Sequence, residues 1–114
     1  MPEQGDIVLV PVPFTDLSSK KRRPVIVISN NDYNRTARDM VVVAMTSQPQ
    51  SSPYALAITS ADLERGTLNH PGQVRVDKVY TLAQSLAVKI FGRVNASVLD
   101  RIRTLLQDLA SKKP

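Results

Sequence analysis

What most constrains this chain is a recurring unit: short apolar runs rich in β-branched residues, each closed by proline, asparagine or other polar residues. Ile7-Val8-Leu9-Val10-Pro11-Val12 is the first, and its length and composition are those of a strand. Pro11 and Pro13 demote its far end to an edge or a strand exit, because proline has no N–H to give to a ladder. Residues 16–21 are polar and charged, a loop. Pro24-Val25-Ile26-Val27-Ile28-Ser29 is almost unbroken in its apolarity, which predicts a central strand buried on both faces. Asn30-Asn31-Asp32 then reads as a turn. Residues 39–46 repeat the apolar pattern, and 48–53 form a polar Ser/Pro/Gln-rich loop. A shorter strand is expected over 54–59, a single helical turn over 60–66 with Ser60 as cap and Gly66 as stop, and further strands over 72–82 and 86–94.

The period then changes. Val98, Leu99, Ile102, Leu105, Leu106 and Leu109 follow the stripe of an amphipathic helix, with Asn95 just before it as N-cap. Arg101, Arg103, Gln107 and Asp108 lie off the stripe. About six strands, a helical turn and one closing helix predict a mainly β, α+β architecture: a strongly curved antiparallel sheet or small barrel with a helix packed on it. With no internal repeat and no linker, one domain over residues 1–114 is expected.

Composition narrows the function classes. No apolar run approaches the roughly 18 residues needed to span a bilayer. The opening residues 1–6 lack the basic and apolar regions of a secretory signal, so a cytoplasmic protein is expected. Without cysteine there is no disulfide framework, no thiolate nucleophile and no cysteine-held zinc. The formal charge is +5, and the basic residues are densest at Lys20-Lys21-Arg22-Arg23, with Arg35 and Arg38 downstream. Such a distribution suits a phosphate-bearing or acidic partner, although a solvated basic surface would look the same.

Three blocks, in order, resemble the MazF/PemK/Kid family of toxin endoribonucleases from type II toxin–antitoxin pairs. The first is Gly5-Asp6-Ile7-Val8-Leu9-Val10 and, after the basic loop, Arg22-Arg23-Pro24-Val25-Ile26-Val27-Ile28-Ser29. The second is Val43-Ala44-Met45-Thr46-Ser47-Gln48. The third is Gly72-Gln73-Val74-Arg75-Val76-Asp77, with Gly92-Arg93-Val94 leading into the last helix. The resemblance implies a small CcdB/PemK-like barrel with a terminal helix, usually a homodimer. It also implies sequence-specific cleavage of single-stranded RNA with neither metal nor cofactor, and a separately encoded antitoxin that blocks the site.

Cutting RNA without a metal requires a group to activate the ribose 2′-hydroxyl, donors to neutralise charge on the phosphoryl oxygens, and an acid for the leaving 5′-oxygen. The resemblance assigns catalysis to Arg23, whose fork of donors matches phosphate oxygens. A guanidinium makes a poor free base, so charge stabilisation is its role, with proton donation possible. Thr46 matches the family's catalytic threonine, and its hydroxyl can donate to a phosphoryl oxygen. Arg75 and Asp77 lie two apart on a strand and so share a face. In the Kid branch, matching residues form the acid–base couple. Arg23 with Thr46, and Arg75 with Asp77, therefore stand as alternative main couples; a structural ion pair is the plainer reading of the second. Lys20, Lys21, Arg22, Ser47 and Gln48 are the expected RNA-binding residues. His70 is the only histidine, which excludes a paired-histidine ribonuclease mechanism. Phe14 and Tyr54 are aromatics at loops, available for base stacking or, just as well, for a core or antitoxin-facing role. The basic loop lacks the histidine of some relatives, so their RNA motif does not carry over. Two rivals remain: a CcdB-like toxin that poisons gyrase through its C-terminal helix end, and an inactive member that only binds RNA or antitoxin.

Overall fold

The structure, a computed structural model, describes residues 1–11 and 22–114. The expected loop over 16–21, with Lys20 and Lys21, lies outside the described residues, as do Phe14 and the exit of the first strand beyond Pro11. The strands are β1 (Asp6–Pro11), β2 (Arg22–Val27), β3 (Asp39–Thr46), β4 (Ala55–Ile58), β5 (Leu63–Arg65), β6 (Gly72–Ala83) and β7 (Lys89–Val94). They form one curled sheet in the order β4-β6-β3-β2-β1-β7-β5, with every neighbouring pair antiparallel. The helices are α1 (Asn31–Thr36) and α2 (Ala96–Ala110), the latter closing the chain over the sheet.

The apolar runs explain the strand order. β1, β2 and β3 sit in the middle and bury both faces, because successive side chains point to opposite sides. Ile7, Ile26, Val43 and Met45 face one cluster, shared with Val74 and Val76 of β6 and Val98 and Ile102 of α2. Val8, Val10, Val25, Val27, Met40 and Val42 face the other, covered in part by Tyr80, Leu82 and Ala87. The expected central strand is β2, between β3 and β1. Pro11 ends β1 as an exit and not at an edge, since β1 has neighbours on both sides.

α2 is the helix that the apolar stripe predicts. The Asn95 side chain accepts the Val98 backbone N–H at 2.9 Å, and Val98 and Ile102 are buried. Burying a side chain such as Ile102 against the sheet contributes roughly 1.5–3 kcal/mol, so packing and not helix propensity fixes α2 in place.

Three expectations are corrected. The stretch expected as a turn at Asn30-Asn31-Asp32 starts α1: the Asn30 side chain caps it by accepting the Tyr33 N–H at 2.8 Å. Asparagine favours turns and N-caps for the same reason, so composition does not separate them. The expected turn over 60–66 is a 3₁₀ segment, Ser60–Asp62, capped by Thr59 and followed by the short strand β5, so the strands among the described residues number seven. Thr59 and Asp62 form a reciprocal capping box. The expected strand from Leu86 begins only at Lys89, after a 3₁₀ segment Gln84–Leu86.

β6 carries the largest irregularity. Val43 pairs with Val79, yet the next residue of β3, Ala44, pairs with Arg75. Val76, Asp77 and Lys78 thus have no partner on β3, a wide bulge that bends the strand. Val76 gives its N–H to the Tyr54 carbonyl at 2.9 Å instead.

Candidate active site

β2 begins, β3 ends and β6 begins at the same end of the sheet. The pleat decides which side chains gather there. On β3, Met45 and Val43 point to the α2 side, so Thr46 points to the other. On β6, Val74 and Val76 point to the α2 side, leaving Gln73, Arg75 and Asp77 on the face that Thr46 shares. On β2, Ile26 faces α2 and Val25 faces away, so Arg23 joins this second face.

Cross-strand register brings them close. The β2–β3 pairing ends with Val25 opposite Ala44, and extending its antiparallel register by two residues puts Arg23 on the side of Thr46. Both line an open cleft of about 320 Å³ with Arg22, Pro24, Met45 and Ser47. On the other side of β3, Thr46 pairs with Gln73. Arg75 is then its diagonal neighbour, about 7–8 Å away at the backbone. Ala44, directly opposite Arg75, has only a methyl to place between them.

Thr46 ends its strand in a side-chain turn: its hydroxyl oxygen accepts the Gln48 N–H at 3.1 Å. Its own proton has only a long contact to the Gln48 carbonyl, at 3.5 Å, and is available to an incoming oxygen. Ser47 and Gln48 are exposed beside it, and Arg22 and Arg23 are exposed at the cleft mouth.

The Arg75 guanidinium holds Asp77 in a two-point grip, Nε to Oδ1 at 3.1 Å and NH2 to Oδ2 at 3.0 Å. Their side chains are 14% and 29% exposed, so water screens the pair only in part. Hydrogen bonding from Arg75 holds the Asp77 carboxyl below its ordinary range, and the Arg75 guanidinium is correspondingly raised above its own. Two residues that the sequence reading did not single out complete the arrangement. Gln50 Oε1 accepts from Arg75 NH1 at 2.9 Å. The Gln50 backbone is bound in turn by Gln73, whose Oε1 accepts its N–H at 3.1 Å and whose Nε2 donates to its carbonyl at 2.8 Å. Only the bend of the 47–53 loop over β6 creates these contacts, and no spacing in the sequence signals it.

A second ion cluster lies elsewhere. Arg93 donates to Asp6 Oδ1 at 2.8 Å and to Glu3 Oε2 at 2.6 Å, linking the N-terminal segment to β7. It touches none of the groups above. Among the described residues no three His, Asp or Glu side chains lie close enough together to hold a metal ion, and no helix is long and apolar enough to cross a membrane.

The sequence profile of the PemK-like, MazF-like toxins of type II toxin–antitoxin systems matches residues 3–110. The chain belongs to this family. The toxin's fold is similar to that of an endoribonuclease from Mycobacterial species solved in complex with its cognate antitoxin, at 23% identity and a TM-score of 0.79 over 100% of both chains. It is also similar to a MazE–MazF structure from Deinococcus radiodurans, at 26% identity and a TM-score of 0.74, covering 95% of this chain and 94% of that one. The Mycobacterium tuberculosis toxin MazF-mt6 matches at 17% identity and a TM-score of 0.72, over 90% and 93% of the two chains. No curated protein sequence matches this toxin. In the toxin, Arg23, Thr46, Arg75 and Asp77 all lie on one face at one end of the sheet, whereas Lys20 and Lys21 fall outside the described residues.

Proposed function

We propose that this toxin, a single domain over residues 1–114, is a cytoplasmic, sequence-specific endoribonuclease that cleaves single-stranded RNA without a metal ion. The ribose 2′-hydroxyl attacks the adjacent phosphorus, leaving a 2′,3′-cyclic phosphate and a 5′-hydroxyl. The observation that carries this reading is the gathering of Arg23, Thr46, Arg75 and Asp77 on one sheet face, with the cleft of Arg23 and Thr46 open to solvent.

The roles follow from the chemistry. Arg23 neutralises charge on the phosphoryl oxygens with its fork of donors, and Thr46 adds a hydroxyl proton held only by a long contact to the Gln48 carbonyl. Asp77 is the carboxylate on the same face; with both oxygens held by Arg75 it is ionised at neutral pH, and a lone pair on either oxygen accepts the 2′-hydroxyl proton. Arg75 keeps that carboxylate oriented and, as the acid of the pair, gives a proton to the departing 5′-oxygen, recovering it from Asp77 after cleavage. Its hold also lowers the basicity of Asp77, so the acid–base pair contributes through position more than through intrinsic strength. Arg22, Ser47 and Gln48, with Lys20 and Lys21, bind the flanking backbone.

The toxin works as a homodimer, and the cognate antitoxin silences it by covering this face. Purified, antitoxin-free protein in EDTA is expected to cut a long RNA at a recurring short motif, with cyclic-phosphate ends. Arg23→Ala and Thr46→Val each lower the single-turnover rate by about 10²–10³. Wild-type protein that leaves RNA intact, or variants that cut as fast as wild type, would overturn the assignment.

A further inference from the structure

A second cavity, of about 230 Å³, adjoins the cleft of Arg23 and Thr46: Pro24, Met45, Thr46 and Ser47 line both. Its far wall is the 67–71 loop between β5 and β6, together with Phe91 of β7. The two compartments differ in chemistry. The first has Arg22 and Arg23 at its mouth, whereas the second contains no Lys, Arg, Asp or Glu among its lining residues. Met45, Leu68 and Phe91 give it apolar surface, and Asn69 and His70 give it a polar edge.

The wall is built before any ligand arrives. The Ser60 hydroxyl accepts the Leu68 N–H at 2.8 Å and donates to the Leu68 carbonyl at 3.2 Å, tying the loop to the 3₁₀ segment. Gly66 turns the chain at a φ of +80°, and a Cβ there would sit 2.4 Å from the Phe91 carbonyl oxygen, so the loop runs directly against β7. Asn69 and His70, by contrast, make no side-chain hydrogen bond among the described residues, and both are exposed. A rigid pocket with apolar walls and uncommitted donors and acceptors at one edge suits a flat heterocycle with polar substituents, not a phosphate.

We propose that this cavity is a nucleobase subsite, which takes the base adjoining the scissile phosphate and reads its edge with Asn69 and His70 over the apolar surface of Phe91 and Met45. The proposal rests on the reading above, that the phosphate occupies the Arg23–Thr46 cleft. It makes the 67–71 loop a determinant of the RNA motif, alongside whatever the basic loop contributes.

Two measurements on the full-length protein test it and keep it separate from the cleavage reading. The first maps cut sites across a long RNA for wild type, Asn69→Ala, His70→Ala and Phe91→Leu. The base preference at one position beside the cut is expected to broaden in the first two variants, which change exposed side chains and leave the core intact. The second measures binding of a 2′-deoxy-substituted, uncleavable oligonucleotide with one abasic site walked along it. Removing the base at the pocket position is expected to weaken wild-type binding about tenfold, and to matter much less for Phe91→Leu. A motif unchanged in both polar variants, or an abasic scan with no sensitive position beside the cut, overturns the subsite. An intact abasic effect in a protein that does not cut would overturn the cleavage reading and leave the subsite standing.

Discussion

Arg93→Leu tests whether the buried ion cluster is structural. Asp6 has a side chain only 5% exposed, and its Oδ1 depends on Arg93 at 2.8 Å, while Oδ2 keeps the Glu3 N–H at 2.8 Å. Removing Arg93 leaves a buried carboxylate without its cation, a change that costs about 3–5 kcal/mol. With an unfolding entropy of about 2.1 cal/mol/K per residue, the 114-residue chain has roughly 0.24 kcal/mol/K in total. The melting temperature at fixed protein concentration should therefore fall by roughly 12–20 °C. Because most of the loss comes from the orphaned charge, adding Asp6→Asn should recover at least about 1 kcal/mol instead of adding a second penalty. Denaturant titrations of the four proteins give that cycle directly. At a temperature where Arg93→Leu is folded, its cleavage rate should equal the wild-type rate, since Arg93 touches none of the proposed catalytic groups. A single-variant loss under about 1 kcal/mol, or a double variant less stable than either single, would refute the reasoning.

The pH profile tests the other ion pair. Arg75 holds the folded-state Asp77 carboxyl below its unfolded value, so its stabilisation is present above the unfolded value and is lost as pH falls through the folded one. If Asp77 is the base, the acid limb of the cleavage rate lies below the ordinary carboxylate range. The residual activity of Arg75→Ala should show that limb moved upward; an unmoved limb would remove Asp77 from the role. In α2, Ile102→Ala should cost about 2–5 kcal/mol by urea unfolding, because the residue is 1% exposed beneath the helix. Leu109→Ala on the same stripe, 40% exposed, should cost no more than about 0.5 kcal/mol. Deleting residues 111–114, which are exposed, should leave RNA cleavage and toxicity intact. A CcdB-like poison acting through its C-terminal end would lose toxicity with that deletion.

Legibility in the sequence followed physical redundancy. β1, β2, β3 and α2 were readable because many residues in each say the same thing: unbroken apolar runs for strands buried on both faces, a 3.6-residue stripe for the helix. α1 was not, since Asn30, Asn31 and Asp32 favour a turn and an N-cap equally, and contacts from elsewhere in the fold settle it, among them Asn34 with Ser29 and Asn31 with Gln4. Of the site, strand parity alone set Arg75 and Asp77 on one face, while their two-point contact is seen only in the structure. Thr46 beside Arg23 needed the β2–β3 register, which no local signal encodes. Gln50 and Gln73 were invisible because a loop crossing over β6 brings them together, and Asn69 because an exposed loop residue shows nothing of the cavity behind it.

The bulge at Val76, Asp77 and Lys78 has a consequence for how such a toxin can vary. Before it, the odd-numbered residues of β6 share the face of Thr46; after it, the even-numbered Tyr80 and Leu82 occupy that same side against Val42 and Met40. One strand thus changes phase midway, so that the polar end, with the proposed catalytic pair, and the apolar packing end of a single face are drawn from opposite parities. Substitutions at either end leave this phase untouched. An insertion or deletion of one residue between Arg75 and Tyr80 does not: unless the bulge itself absorbs it, it turns the arginine and aspartate toward α2 or expels Tyr80 and Leu82 from their cluster. Length in this short stretch is therefore under tighter constraint than residue identity.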